Sequence, residues 1–399
     1  MRAESSADSR TRVPELDGLR GCAIGLVLVW HIFASVAETR QATFFSYVQA
    51  LCDLTWSGVD LFFVLSGFLI GGILLDAKNS TNYFKVFYIR RFFRIVPIYL
   101  VLLTAFALIR AFTGGDGAYS WTFSNTMPFW TYLLFMQNFW MAHAGIFGGG
   151  WLAATWSLAV EEQFYLTLPS IVRFFPRRVL YGFVFLGIAL APVVRVILFR
   201  SSHDGWLGSY VLLFCRADAL LFGVVCAILL RNANWRQKIA SSKYLLAGVL
   251  MILFGVAAFL TKIHADLGSY AMASYGFTVL AALYACLLLL VCTHQSGGIA
   301  RVARLSPFRW LGSIAYGAYL FHMPVQGLLF ATMMGSKPRI VDAASFLLSV
   351  LAVVLTLGLA HVSWNFFEKR LVKFSHRAQY EFRPLEQGIA AAIPAGAQR

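Results

Sequence analysis

Ten stretches of about 20 mostly apolar residues recur along the chain, and they constrain its fold more than any other feature. A run of this length is what an α-helix needs to cross the hydrocarbon core of a bilayer. The composition agrees, because 59% of the residues are hydrophobic and only 13% are charged, whereas soluble domains carry about 25% charged residues. The sequence therefore predicts an all-α, polytopic membrane helical bundle. The predicted spans are 18–37, 57–75, 93–112, 155–175, 179–199, 208–230, 244–261, 272–292, 310–334 and 344–366.

A further aromatic stretch, 128–140, is too short to cross a bilayer and is predicted to be re-entrant or interfacial. If it does not cross and the N-terminus is inside, the inner segments carry about four times as many Lys and Arg residues as the outer loops. Counting it as a span would invert every later loop and destroy this asymmetry. Both termini are therefore predicted to be cytoplasmic, in a multi-pass protein of the cell inner (plasma) membrane. The net charge of +15 is assigned to this bias rather than to nucleic-acid binding.

The domain organisation follows from changes in composition near the ends of the chain. Residues 1–12 are expected to form an N-terminal cytoplasmic segment and 13–377 the transmembrane domain. Residues 378–399 lack helical phasing and are expected to form a disordered tail. No internal repeat is evident, which disfavours transporter folds built from repeated halves. The cysteines show neither a CxxC motif nor metal-ligand spacing, so no zinc site, other metal site or structural disulfide is expected.

The first predicted span contains a single histidine, His31, in the middle of an apolar run. An ionisable side chain at that depth is costly unless it has a partner or a function. Eleven residues of helix turn about 20° past three full turns, so Arg20 shares a face with His31. Asp17 lies within about 40° of the same line. A neutral imidazole can exchange a proton near neutral pH, which makes His31 a candidate catalytic base; a hydrogen-bonded structural histidine is the alternative.

Two arginines, Arg91 and Arg94, lie three residues apart at the inner end of the third span. This spacing places them side by side on one helix face. Paired guanidinium groups suit phosphates because each offers a planar fork of donors. Ordinary positive flanking or binding to lipid headgroups explains the pair equally well without catalysis.

Two adjacent carboxylates, Glu161 and Glu162, lie just inside the fourth predicted span, and Tyr165 can share a face with Glu161. Because unpaired buried carboxylates are very unfavourable, cationic partners are implied. Arg216 and Asp218, inside the sixth span, are candidate partners, either in a structural ion pair or at the reacting centre.

Two further motifs place small or polar residues inside spans. Ser66 and Gly67 form a small pair flanked by aromatic residues, which suits either a ligand or a closely packed helix. Tyr319 and His322 belong to a polar stripe that also contains Ser313 and Tyr316. His322 is a second candidate for handling a proton, with a hydrogen-bonded structural role as the alternative.

These motifs together resemble the integral-membrane acyltransferase-3 family. They occur in the family's order and extend from about residue 12 to residue 370. The family's spacing of an arginine and a histidine falls on Arg20 and His31, and its Arg-x-x-Arg element falls on Arg91 and Arg94. One departure is Ala315, at a position often held by serine. The matching segments are Glu15 to Arg20, Trp30-His31, Phe62 to Phe68, Arg90 to Pro97, Trp156 to Tyr165 and Tyr316 to His322.

The resemblance implies transfer of an acyl group, most simply acetyl, from cytoplasmic acyl-CoA to a hydroxyl of a glycan, glycolipid or glycosylated small molecule. Arg20, Arg91 and Arg94 would hold CoA at the inner mouth. The thioester would reach towards His31, as general base or as the site of a transient acyl-imidazole. Asp17 and Glu161 would orient or charge-balance the site. The remaining candidates for the substrate pocket are Ser66, Glu162, Tyr165, Arg216, Asp218, Tyr319 and His322.

Two further expectations concern the protein as a whole. The esterase-like domain that some family members append is not found, so a stand-alone member is expected. The rival functional hypothesis is a proton-coupled transporter or flippase whose buried charges form a path for a polar substrate.

Overall fold

The computed structural model describes residues 13–37, 52–124, 127–201, 205–262 and 267–383, and within them the regular structure is helical, with no strand beyond an isolated bridge between Ala37 and Ile340. This is the all-α bundle that the apolar runs predict. In chain order the α-helices are α1 (Pro14–Ile32), α2 (Gly58–Ala77), α3 (Tyr83–Thr113), α4 (Ser120–Phe123), α5 (Phe129–Leu133), α6 (Gln137–Ala144), α7 (Gly150–Ala153), α8 (Trp156–Phe174), α9 (Arg177–Ser201), α10 (Gly205–Val211), α11 (Leu213–Arg231), α12 (Ala233–Ser241), α13 (Lys243–Lys262), α14 (Phe277–Thr293), α15 (Gly298–Arg304), α16 (Ser306–Ser313), α17 (Ala315–Met334), α18 (Ala343–Ser363) and α19 (Lys369–Ser375). Two π-helical turns, Met272–Gly276 and Trp364–Glu368, precede α14 and α19.

Eight helical segments in the described residues are long and apolar enough to cross a membrane. The other two predicted spans, 155–175 and 310–334, correspond to α8 and α17, which have 19 and 20 residues. Both carry polar side chains in their middle, and this lowers their hydropathy. The eight segments are Pro14–Val36, Thr55–Ala77, Tyr83–Thr113, Arg177–Ser201, Gly205–Arg231, Lys243–Leu260, Met272–Thr293 and Ala343–Ser375.

Three predicted stretches are interrupted. The stretch 128–140 forms the short helices α5 and α6, separated near Phe135, whose φ of 54° no helix accommodates. Leu212, with a ψ of 143°, separates α10 from α11 inside the predicted span 208–230. Ile314 separates α16 from α17, so the predicted span 310–334 is helical without a break only from Ala315.

Glycines let the central helices approach closely. A methyl group on Gly67 of α2 would overlap the carbonyl oxygen of Leu220 on α11, and one on Gly223 would overlap that of Val64. The same holds where α1 meets α15 and α16, because Gly18 and Gly21 face backbone carbonyls there. Within the Ser66-Gly67 pair, Gly67 therefore makes the predicted close contact between helices. Ser66 remains a candidate residue of the functional site.

Replacing Gly67 with alanine is expected to lower the apparent melting temperature of the detergent-solubilised protein and its folded yield. The added methyl meets backbone rather than a movable side chain, so the cost should reach at least the roughly 1–3 kcal/mol of overpacking. Gly182→Ala in α9 is the matched control, since nothing lies within 4 Å of the added methyl. Equal melting temperatures for the two variants would contradict this account of the α2–α11 contact.

The segment that follows α19 packs against the start of α3. Arg90 donates two hydrogen bonds to the carbonyl of Ala378, from Nε at 3.1 Å and Nη2 at 2.8 Å. Its guanidinium lies 5.3 Å from the centre of the Tyr380 ring. The first residues of the expected disordered tail, 378–383, are thus ordered on α3. The rest of that tail, 384–399, and the expected N-terminal segment 1–12 lie outside the described residues.

Candidate active site

His31 lies near the C-terminal end of α1, half-buried, and its ring contacts the ring of His322 on α17. The two ring centres are 5.0 Å apart in an edge-to-face arrangement. The Nδ1 atom of His31 lies 3.0 Å from the carbonyl oxygen of Val27, one turn earlier. Because a carbonyl only accepts hydrogen bonds, this contact places the proton on Nδ1 and leaves a lone pair on Nε2.

His322 repeats this arrangement. Its Nδ1 lies 2.6 Å from the carbonyl oxygen of Tyr319, so its Nε2 also carries a lone pair. The side chain is 0% exposed, and its Nε2 has no hydrogen-bond partner among the residues that the structure describes. A buried, unsatisfied acceptor costs about 1–3 kcal/mol. Both histidines therefore present an acceptor nitrogen, and in the described residues that of His322 is buried without a partner.

Tyr319 connects the histidines to α8. Its ring centre is 5.6 Å from that of His322, and its hydroxyl lies 2.5 Å from Ser157 Oγ. It also donates to the carbonyl of Ala154 at 2.9 Å. Ser157 begins a face of α8 on which Glu161 and Tyr165 follow at four-residue intervals. Ser157 was not among the predicted residues, although this spacing would have revealed it.

Glu161 and Tyr165 form the middle of this polar face. The Tyr165 hydroxyl donates to Glu161 Oε2 at 3.0 Å and also contacts Ser66 Oγ on α2. The guanidinium of Arg91 lies 5.8 Å from the centre of the Tyr165 ring. The structure therefore brings together four residues that the sequence analysis proposed from three separate motifs.

Three arginines lie on the side of this group that is nearer to the N-terminal end of α1, which is the predicted cytoplasmic side. Arg20, Arg91 and Arg94 are close enough for their charges to act on one another, and Glu161 is within the same electrostatic range of Arg20. Like charges held together in this way repel, and a bound anion would relieve the repulsion. Glu368, in the π-helical turn before α19, faces Arg94 and was missed, because nothing local in the sequence links it to α3.

The polar side chains thus form a continuous column from the arginines to the paired histidines. Arg20 and His31 belong to one helix and are separated by about 16 Å along its axis. We call this set the polar column; its members are Arg20, His31, Ser66, Arg91, Arg94, Ser157, Glu161, Tyr165, Tyr319 and His322.

The comparison with known proteins gives this column its context. The profile of the acyltransferase-3 family, described as an acyltransferase domain, matches residues 13–363. The chain belongs to this acyltransferase family. The predicted resemblance is therefore confirmed over nearly the whole chain.

The named relatives of this chain are O-acetyltransferases. The chain is 28% identical over 387 residues to the peptidoglycan O-acetyltransferase OatA of Listeria monocytogenes, covering 92% of the chain and 56% of the relative. It is 29% identical over 385 residues to a putative peptidoglycan O-acetyltransferase, YrhL, of Bacillus subtilis, covering 90% and 54%. A putative O-acetyltransferase of Staphylococcus aureus is 25% identical over 398 residues, covering 96% and 61%. The chain thus spans little more than half the length of these relatives. No solved structure matches it.

Two of the predicted site residues lie away from the histidines. Asp17 is 14 residues from His31 on the same helix, about 21 Å along the axis, so it cannot contact the imidazole. It lies beside Arg20 instead. Glu162 lies about 100° round α8 from Glu161. Its Oε1 is buried, has no hydrogen-bond partner among the described residues, and lies within electrostatic range of Tyr88 and Tyr316.

Arg216 and Asp218 are not the partners of Glu161 and Glu162, contrary to the sequence-based prediction. Arg216 pairs with Asp60 on α2, and Asp218 pairs with Arg195 on α9 at 2.9 Å. All four side chains are at most 1% exposed. Residues two apart on a helix point about 200° apart, so Arg216 faces α2 while Asp218 faces α9. They form a structural network.

A cavity of about 920 Å³ opens beside the lower end of the polar column. It reaches Asp17 and Arg20 and continues between the ends of α2, α11, α12 and α14. Within the residues that the structure describes, no group of three or more His, Cys, Asp or Glu side chains is placed to hold a metal ion.

Proposed function

We propose that this chain is an O-acyltransferase of the cell inner membrane, which transfers an acyl group, most simply acetyl, from acyl-CoA to a hydroxyl of a glycan or glycosylated acceptor. Family membership supports the acyl transfer, and the names of the relatives support the acetyl group and a glycan acceptor. The observation that carries the proposal is the contact between half-buried His31 and buried His322, at the far end of a column that begins at three arginines.

The arginines suit the phosphates of CoA. Guanidinium groups bind phosphates with paired hydrogen bonds, and Arg20, Arg91 and Arg94 converge from two helices. The acyl thioester would extend from there past Glu161 towards His31. Acyl-CoA is a substrate in this scheme, and no resident cofactor is invoked.

His31 supplies the base. As the acceptor oxygen attacks the thioester carbonyl, the lone pair on His31 Nε2 takes the hydroxyl proton. The new C–O bond forms, the C–S bond breaks, and the imidazolium returns the proton to the departing thiolate. In the alternative route His31 Nε2 itself attacks the carbonyl, the C–S bond breaks and the CoA thiolate leaves. The acceptor oxygen then attacks the acyl-imidazole, the C–N bond breaks, and the hydroxyl proton goes to the thiolate. In both routes the hydrogen bond from His31 Nδ1 to the Val27 carbonyl leaves the lone pair on Nε2 available for reaction.

The test is donor binding followed by product analysis. CoA at 100 times its dissociation constant should stabilise the purified protein by about 2.7 kcal/mol, seen as a raised melting temperature. Mass spectrometry of cell glycans should show acetyl esters that disappear when the gene is deleted. A protein that CoA does not stabilise, but that dissipates a solute gradient in liposomes, would favour the transporter hypothesis instead.

A further inference from the structure

The cavity beside Arg20 has the size and the walls of a ligand site. Its volume of about 920 Å³ lies in the range of about 300–1,000 Å³ that is typical of small-molecule pockets. One wall is apolar, with Leu16 of α1 and Phe68 and Leu69 of α2. The rest of the lining comes from the ends of α11, α12 and α14, and it mixes polar residues such as Arg231 and Arg236 with apolar ones such as Leu230.

Three arginines from three different helices line this cavity, against a single lining carboxylate, Asp17. Arg20 stands at its inner end, where the polar column begins. Arg231 forms an ion pair with Asp76 at 2.8 Å, with both side chains about one-third exposed. Arg236 of α12 is exposed and has no acidic partner in the part of the chain that the structure describes. The cavity therefore holds an excess of positive charge.

Arg20 belongs to both the cavity and the polar column. It lines the cavity and is also within electrostatic range of Arg91 and Glu161. A ligand with its phosphates in the cavity could therefore extend past Arg20 into the column. Acyl-CoA has this shape, because a flexible arm joins its phosphorylated nucleotide to its thioester.

We infer that this cavity binds the phosphate-bearing nucleotide end of acyl-CoA, with Arg236 and Arg231 as phosphate-binding residues that no sequence motif indicated. The apolar wall packs against the adenine ring and the upper part of the arm. The arginines of the column then hold the diphosphate, which is nearer to the thioester, and the cavity holds the 3′-phosphate. This assignment rests on the proposed function, since it deepens the donor site of the same reaction.

The alternative is that Arg236 belongs to the general positive charge at this face of the protein. The helix α12 offers a direct comparison, because it carries a second cation, Lys238, two residues further on. The two side chains point about 200° apart. Lys238 does not line the cavity, and its Nζ lies 5.2 Å from the centre of the Trp235 ring. Removing either charge changes the net charge equally.

The experiment compares Arg236→Gln with Lys238→Gln in the full chain, reconstituted in nanodiscs of neutral lipid. Binding of CoA, 3′-dephospho-CoA and pantetheine is measured by calorimetry. Arg236→Gln should weaken CoA binding about 10-fold, corresponding to about 1.4 kcal/mol. Lys238→Gln should change it less than about 2-fold, well below one tenfold step of about 1.4 kcal/mol. Pantetheine carries no phosphate, so both variants should bind it like the unmodified protein.

The other outcomes distinguish a wrong cavity assignment from a wrong proposed function. Unchanged CoA affinity in Arg236→Gln would overturn the cavity assignment and leave the proposed function standing. Failure of the unmodified protein to bind CoA at all would overturn the proposed function itself. If phosphatidylglycerol in the nanodisc competes with CoA only when Arg236 is present, the assignment to a phosphate site is supported. If Arg236→Gln abolishes that lipid's binding but leaves CoA binding intact, the site belongs to lipid headgroups and the assignment is overturned.

Discussion

Replacing His31 with alanine is expected to abolish acyl transfer while the folded protein stays near its normal abundance. In the proposed reaction His31 is the only group that takes the acceptor's proton, and a positioned base contributes about 10²–10⁴-fold. Loss of an acyl-imidazole route would cost at least as much. His31 is half-buried and its hydrogen bond to Val27 is local, so the packing of α1 should survive. The measurement is transfer from labelled acetyl-CoA in membranes, with abundance checked by immunoblot.

The control for this variant is His361→Ala. His361 is an exposed histidine of α18 whose contacts are to Trp310 and Asn365, away from the polar column. The His361→Ala variant should retain full activity. Donor binding by His31→Ala should also persist, because Arg20, Arg91 and Arg94 remain. Undiminished transfer by His31→Ala would disprove the mechanism whatever the control shows.

Replacing Arg216 with alanine is expected to be the most destabilising of these substitutions. Arg216 is 1% exposed, pairs with Asp60 and lies 4.2 Å from the centre of the Phe277 ring. Its removal leaves the Asp60 carboxylate buried and uncompensated, which costs about 3–5 kcal/mol. Folded yield and the apparent melting temperature in detergent should both fall sharply.

Arg231→Ala is the matched comparison. It breaks another Arg–Asp pair on α11, but this pair is about one-third exposed, and such pairs contribute about 1 kcal/mol or less. Adding Asp60→Ala to Arg216→Ala removes the orphaned charge and should recover part of the lost stability. Similar melting temperatures for the Arg216 and Arg231 variants would show that the buried network is not a major source of stability.

The sequence predicted well what depends on local pattern. Apolar runs mark helices because membrane insertion acts on one segment at a time, and the phasing of Arg20 and His31 needs only the geometry of one helix. Pro97, Pro169, Pro192 and Pro324 all lie inside helices and end none of them. The breaks occur at Leu212 and Ile314 instead, where no glycine or proline marks them.

Partners between helices could not be predicted, because they depend on packing rather than on spacing. Arg216 lies 156 positions from Asp60, and nothing in either segment favours that partner over Glu161. The contact between His31 and His322 is of the same kind: both residues were proposed, and their pairing was not. Glu368 escaped notice because its partner Arg94 comes from the other end of the chain.

The glycine contacts of α1 with α15 and α16 have a consequence for how the protein is made. Gly18 and Gly21 face Ala303 and Phe308, so the docking surface for the first helix is synthesised about 285 residues after the helix itself. At about 5–20 residues per second, the ribosome needs roughly 15–60 s to add the intervening residues. During this interval α1 lies in the bilayer with its glycine face covered only by lipid. If the ribosome stalls before α15, α1 is inserted without the helices α15 and α16 that it packs against. Such an incomplete chain is expected to be degraded by membrane quality-control proteases.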